Sequence, residues 1–194
     1  QFLGFQWDTL LLETGFLAIF LAPLKWRPKL ATEPPPSPWV LLLLRFLLFR
    51  VMFTSGWVKL ASGDPTWKDH SALLYYYETQ PLPTWISWYV HQLPQGFQEY
   101  SVIAVFIIQL VVPFLIFGPG RIRYAAGTIL IFFQLLISLT GNYCFFNLLT
   151  ISLCFLLFDD SLLKKVIPGK WRIIFKETRS RIHEWKKWLV LGVG

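Results

Sequence analysis

Charge is what this sequence has least of: only 15% of its 194 residues are Asp, Glu, Lys or Arg, against about 25% in an average soluble domain. The same chain is 55% hydrophobic and 18% aromatic, with a mean hydropathy of +0.50. That composition excludes a freely soluble domain and is the composition of a membrane protein. Cysteine is nearly absent. Cys144 and Cys154 are the two present, with no CxxC between them, which excludes a disulfide framework and a thiolate zinc site, and both are read as free thiols. Histidine is scarce too: His70 and His91 stand 21 residues apart, without metal-ligand spacing, so no metal is expected. There is no Gly-rich phosphate loop, no GxSxG and no Ser-His-Asp order, which removes the common nucleotide-binding and hydrolase readings. No cleavable signal peptide is expected in the first apolar stretch, because Asp8 and Glu13 interrupt it. The first residue is Gln rather than Met, so further sequence upstream is expected.

What is present is apolar runs of helical length. Five can be drawn, at Phe5–Leu24, Trp39–Val58, Ser101–Phe117, Tyr124–Thr140 and Phe145–Phe158, the last short for a span. A sixth begins at Trp188. The expected fold is an all-α, polytopic transmembrane bundle with about five spans and a truncated sixth. Residues 1–158 form the bundle with an outward loop at 58–100, residues 159–187 a basic interfacial segment, and residues 188–194 the start of a further span. Pro34, Pro35, Pro36 and Pro38 make a stiff spacer ahead of the second run.

The net charge of +7 is unevenly placed. Lys25, Arg27 and Lys29 follow the first run, Arg121 and Arg123 precede the fourth, and Lys164 to Lys187 hold a late basic cluster. The 58–100 connection is net negative. Every odd span therefore ends on a positive side, which the positive-inside rule makes cytoplasmic, and the 58–100 loop faces outward. The basic cluster is membrane-flanking charge, and no nucleic-acid partner is expected. The protein is integral to the ER membrane if eukaryotic and to the inner (plasma) membrane if bacterial.

The most informative residues are the ionised groups inside these runs. Arg45 and Arg50 lie within Trp39–Val58, which ends at Lys59, and an Arg near mid-span costs about 2.5–3.5 kcal/mol on translocon scales. At 1.5 Å per residue, Glu13 lies about 18 Å from Lys25 and Arg50 about 16 Å from Trp39, while Arg45 lies about 9 Å from Trp39. The two runs are antiparallel, so Glu13 and Arg50 share a level, Arg45 can snorkel to the cytoplasmic face, and Asp8 is level with Ser55 and Lys59. The expectation is a Glu13–Arg50 pair inside the bundle with Asp8 and Lys59 at its outer mouth, serving either to fix helix register or to carry catalysis or transport. Asn142 and Asn147, costly in lipid when unbonded, are expected to cap helices or join that polar cluster.

In the outward loop, Asp64 is placed to cap a short helix opened by Pro65. Asp64, Trp67, Tyr77, Glu78, Gln80 and His91 are the candidate client- or ligand-facing residues. Aromatic density beside a membrane reads as an interface belt or, alternatively, as a ligand cage.

Several stretches carry a family likeness: the run from Phe5 to Phe16 (FQWDTLLLETGF), Ser55-Gly56-Trp57-Val58-Lys59-Leu60, and Tyr77-Glu78-Thr79-Gln80-Pro81-Leu82-Pro83. Thr140-Gly141-Asn142-Tyr143, Phe145-Phe146-Asn147 and Asp159-Asp160 follow in order. Across most of residues 1–160 the chain resembles the lipase maturation factor family. The resemblance implies a polytopic membrane protein, in animals resident in the ER, that assists secreted lipases to fold and assemble. Gly56-Trp57-Val58-Lys59-Leu60 with Asp64 and Trp67 is also similar to the membrane domain of vitamin K-dependent gamma-carboxylases, where the lysine before the leucine is a proposed base. That likeness implies Lys59 as a catalytic base in a quinone- or lipid-dependent enzyme. The leading expectation is a chaperone-like membrane maturation factor for secreted lipases or other exported proteins, with enzymatic activity disfavoured but left open. The alternatives are the Lys59 enzyme and an accessory subunit of a larger membrane complex. No cofactor is expected, although a bound lipid or quinone is compatible with the Lys59 reading, and the expected partners are membrane lipids and an exported lipase client or a larger complex.

Overall fold

The fold was obtained as a computed structural model, which describes residues 6–22, 35–80, 83–141, 143–159 and 162. The basic segment after residue 162, the apolar start at Trp188 and Asn142 lie outside the described residues. All described elements are helical: α1 (Gln6–Leu21), α2 (Pro38–Ala61), α3 (Pro65–Lys68), α4 (Ala72–Thr79), α5 (Trp85–His91), α6 (Gln95–Leu110), a 3-10 turn (Val112–Phe117), α7 (Gly120–Thr140) and α8 (Phe146–Phe155). This is an all-α membrane helix bundle.

Three of the expected spans are long and apolar enough to cross a bilayer: Pro38–Ala61, Gln95–Phe117 and Gly120–Thr140. The other two apolar runs form shorter helices. The 16 residues of α1 give about 24 Å and the 10 of α8 about 15 Å, against a hydrocarbon core of roughly 30 Å. The third span starts earlier than the hydropathy suggested, at Gln95 rather than Ser101, because Gln95, Gly96 and Gln98 lower the local hydropathy without opposing a helix. Its α geometry stops at Leu110. Pro113 has no N–H to donate and its ring would meet the Gln109 carbonyl, so the chain continues as a tighter 3-10 turn.

The core is a seam of aliphatic side chains shared by α1, α2, the 3-10 turn, α7 and α8. Leu10, Leu48, Met52, Ile116, Leu130, Cys154 and Leu157 are all essentially inaccessible. Phe49 and Phe53 of α2 meet Phe114 edge-on, with ring centroids 5.1 and 5.5 Å apart. Gly56 lets α2 approach α6: a Cβ there would sit 2.9 Å from Gln109 Cβ and from Leu110 Cδ2. The outward faces remain apolar, with Phe16, Leu43, Phe46, Ile107, Phe132, Leu136 and Leu148 exposed as a lipid-facing wall requires.

The ends of the long helices remote from Arg45 and Arg123 carry a small cap made of α3, α4 and α5. It has its own core, in which Ala72, Leu73, Tyr77 and Val102 pack with Trp67, Tyr76, Val90 and Phe106. Asp64 Oδ1 accepts the Thr66 N–H at 2.9 Å and starts α3, and Thr84 Oγ1 accepts the Ser87 N–H at 3.1 Å to start α5.

Candidate functional site

Arg50 donates through Nη2 to Glu13 Oε2, joining α1 to α2 at one level. The pair is only partly covered. It lines an open cavity of about 260 Å³ together with Gln6, Thr9, Leu10, Val51 and Thr54. Five of those seven side chains are polar, so the cavity offers water or a polar group access to the pair. Nearer the cap, Gln6 Nε2 donates to Ser55 Oγ at 3.2 Å. Asp8 lies half-buried in the first turn of α1.

Asp8 and Lys59, expected at the mouth of this site, do not line the cavity. Lys59 Nζ donates to Ser55 O at 2.8 Å and to Gln109 Oε1 at 2.9 Å, and lies 5.3 Å from the centroid of the Trp67 ring. One side chain thus ties α2 to α6 and to the cap. Two of the three ammonium donors are used and the cation rests on an aromatic face, an arrangement that holds charge in place. Helix rotation explains the difference: level along the axis put Lys59 beside Asp8, but its azimuth turns it towards α6.

At the basic end of the bundle, Arg45 Nη2 donates to Leu156 O at 3.2 Å, and its Nε is buried without a partner. Arg123 Nε donates to Leu157 O at 2.9 Å and its Nη2 to Asp159 Oδ1 at 2.7 Å, while the Tyr124 hydroxyl donates to Asp159 Oδ2 at 2.6 Å. Two guanidinium groups therefore satisfy carbonyls at the end of α8, where the last turn leaves acceptors open and favours cations.

Most loop residues proposed to face a ligand are turned inward or used to build the cap. Tyr77 is buried, lies edge-on to Tyr76 at 5.4 Å, and has its hydroxyl ionisation pushed up by that burial. Trp67 packs edge-on against Phe106 at 5.8 Å. His91 Nε2 lies 3.0 Å from Glu78 Oε1, linking α5 to α4, and its Nδ1 is buried without a partner. Gln80 shares hydrogen bonding with Tyr76, whose phenol is held neutral well above the usual range by burial and by Tyr143. Asp64 keeps its helix-starting role. Asn147 is buried at the start of α8, with Oδ1 unpartnered.

Sequence reasoning missed the glutamines. Gln98 Nε2 donates to Val90 O at 2.6 Å, Gln109 accepts from Lys59, and Gln134 Nε2 approaches Met52 Sδ at 3.8 Å. Gln109 and Gln134 are lone amides inside apolar runs, and that was the available signal, because such a group must find a bond within the bundle; Gln98, in a polar stretch ahead of its run, gave no such signal. Among the described residues no group of three His, Cys, Asp or Glu side chains could hold a metal ion.

The arrangement defines a class: a helical membrane protein whose charged side chains tie helices to one another beneath a folded cap. Residues 1–165 match the model of the lipase maturation factor transmembrane domain. The chain is 51% identical to lipase maturation factor 2 of Gallus gallus over 174 residues, covering 88% of this chain and 23% of that protein. It is 47% identical to lipase maturation factor 2 of Mus musculus over 186 residues, 88% of this chain and 26% of that one. With lipase maturation factor 1 of Mus musculus it shares 39% identity over 166 residues, 86% of this chain and 29% of that protein. No solved structure matches it. The chain belongs to the lipase maturation factor family, and it spans about a quarter of the length of the curated relatives it matches.

Proposed function

We propose that this chain is the membrane-embedded part of a maturation factor that assists secreted lipases to fold or assemble, working in the ER membrane. The observation that carries the reading is the family match across residues 1–165, which includes both the helix bundle and its cap. The chemistry of the polar groups supports it. Arg50 binds Glu13 of α1, Lys59 binds Gln109 of α6, and Arg123 binds Asp159 just beyond α8, so each of these cations ties separate segments of the bundle together. Such a bundle holds a rigid outward platform in place, and the cap is the part of the chain available to an exported client. The test is a lipase secretion assay in cells lacking the protein. Loss of active secreted lipase, restored by the intact protein and not by a variant deleted for residues 64–91, is the expected result. Undiminished secretion of active lipase from the deficient cells would overturn the reading.

A further inference from the structure

Helix α5 carries the most exposed aromatic surface of the outer cap. Trp85 is 88% exposed, Tyr89 68% and Trp88 61%, with Ile86 beside them. These positions are i, i+1, i+3 and i+4 of one helix, so they share a face. The opposite face is the packed one, where Ser87 is buried and Val90 enters the cap core. From Thr79 to Gln98 the sequence contains no Asp, Glu, Lys or Arg.

Two bonds fix where this face stands. Thr84 Oγ1 donates to Leu139 O at 2.5 Å in the last turn of α7, and the buried Gln98 amide donates to Val90 O at 2.6 Å in the first turns of α6. Both α6 and α7 belong to segments long and apolar enough to cross the membrane. Leu135, Leu136 and Leu139 are exposed along the outer half of α7, and Phe97 and Tyr100 along the first turns of α6. The uncovered face of α5 is therefore held at the rim of the lipid-facing wall and is continuous with it.

We propose that α5 lies in the headgroup–acyl boundary of the outer leaflet, with Trp85, Trp88 and Tyr89 inserted into lipid. Trp and Tyr suit that layer, since a flat apolar ring enters the acyl region while its N–H or O–H stays among headgroups. A face without formal charge needs no anionic lipid and gains nothing from electrostatic steering, so its insertion is insensitive to salt. The consequence is a division of the cap. The α5 side is anchored in the bilayer, and the side carrying Asp64, Lys68, Asp69 and Glu78 is the one that faces water. This inference stands whether or not the client is a lipase.

The test uses the full-length protein in zwitterionic phospholipid vesicles, with nitroxide labels on W85C, W88C and, as a water-facing reference, K68C. At positions 85 and 88, collisions with a water-soluble nickel chelate should be several-fold rarer than at position 68, and collisions with oxygen more frequent, with both unchanged in molar salt. Chelate access at 85 and 88 equal to that at 68 would overturn the proposal, as would shielding from both reagents, which marks a protein contact. A second measurement leaves the backbone untouched: W85F/W88F should lose part of the tryptophan quenching produced by brominated lipids, and undiminished quenching per remaining tryptophan would equally count against lipid insertion.

Discussion

Glu13→Gln, Arg50→Gln and the double variant separate a structural ion pair from two independent polar residues. The side chains meet across α1 and α2, line an open cavity and are 36% and 42% exposed. Partial exposure places the expected energies at the low end of the range for buried pairs, which is about 3–5 kcal/mol when one partner is removed. Glu13→Gln strands a guanidinium that has no neutral form at any ordinary pH, so the loss should be about 3 kcal/mol. Arg50→Gln leaves a carboxylate that can take up a proton and become neutral, so its cost should be smaller, about 1–2 kcal/mol. The double variant retains a Gln–Gln hydrogen bond and no charge, and should be less destabilised than Glu13→Gln alone. The coupling energy is then about 1–2 kcal/mol or more. Reversible unfolding in mixed micelles, followed by tryptophan fluorescence, measures all four proteins. Additive losses, with coupling under about 0.5 kcal/mol, would refute the reasoning, as would a larger loss for Arg50→Gln than for Glu13→Gln.

Gly56→Val should destabilise the same preparation by about 1–3 kcal/mol, because any Cβ meets Gln109 and Leu110 at 2.9 Å, whereas Gly15→Ala, with nothing within 4 Å, should be neutral or slightly stabilising. Arg123→Gln should cost about 1–2 kcal/mol in micellar unfolding, since the Leu157 carbonyl and Asp159 lose their donor together; a loss no larger than that of an exposed control, Arg121→Gln, would show that the clamp contributes nothing. Alkaline pH should loosen the cap. Folded Tyr76 holds its proton above the ordinary phenol range, so its contribution is complete below about pH 10 and is lost as the pH rises beyond that, where the unfolded chain ionises first. Tyr76→Phe should make near-ultraviolet circular dichroism less sensitive across that window, and an unchanged alkaline midpoint would contradict it.

Hydropathy and spacing alone made the class legible. A run such as Pro38–Ala61 is apolar at nearly every position, and only a helix can satisfy that backbone in lipid, so neither the helix nor its approximate ends needed tertiary information. Axial level was legible for the same reason: a fixed rise per residue placed Glu13 opposite Arg50, and the structure brings them together. Azimuth was not. Whether Lys59 turns to α1 or α6 depends on which helix packs beside Gly56, and that contact is set by residues more than 40 positions away. The same limit applies to the outward loop. Tyr75, Tyr76 and Tyr77 look alike in sequence, yet Tyr77 is buried while Tyr75 is exposed, and the open aromatic face belongs to Trp85 and Trp88 instead. The amino-acid order therefore determined which segments form apolar helices and at what axial level each charge sits, because hydropathy and helical rise act on each segment separately. Only the tertiary structure decided which neighbour each side chain meets, because rotation about a helix axis is settled by packing between segments far apart in the chain.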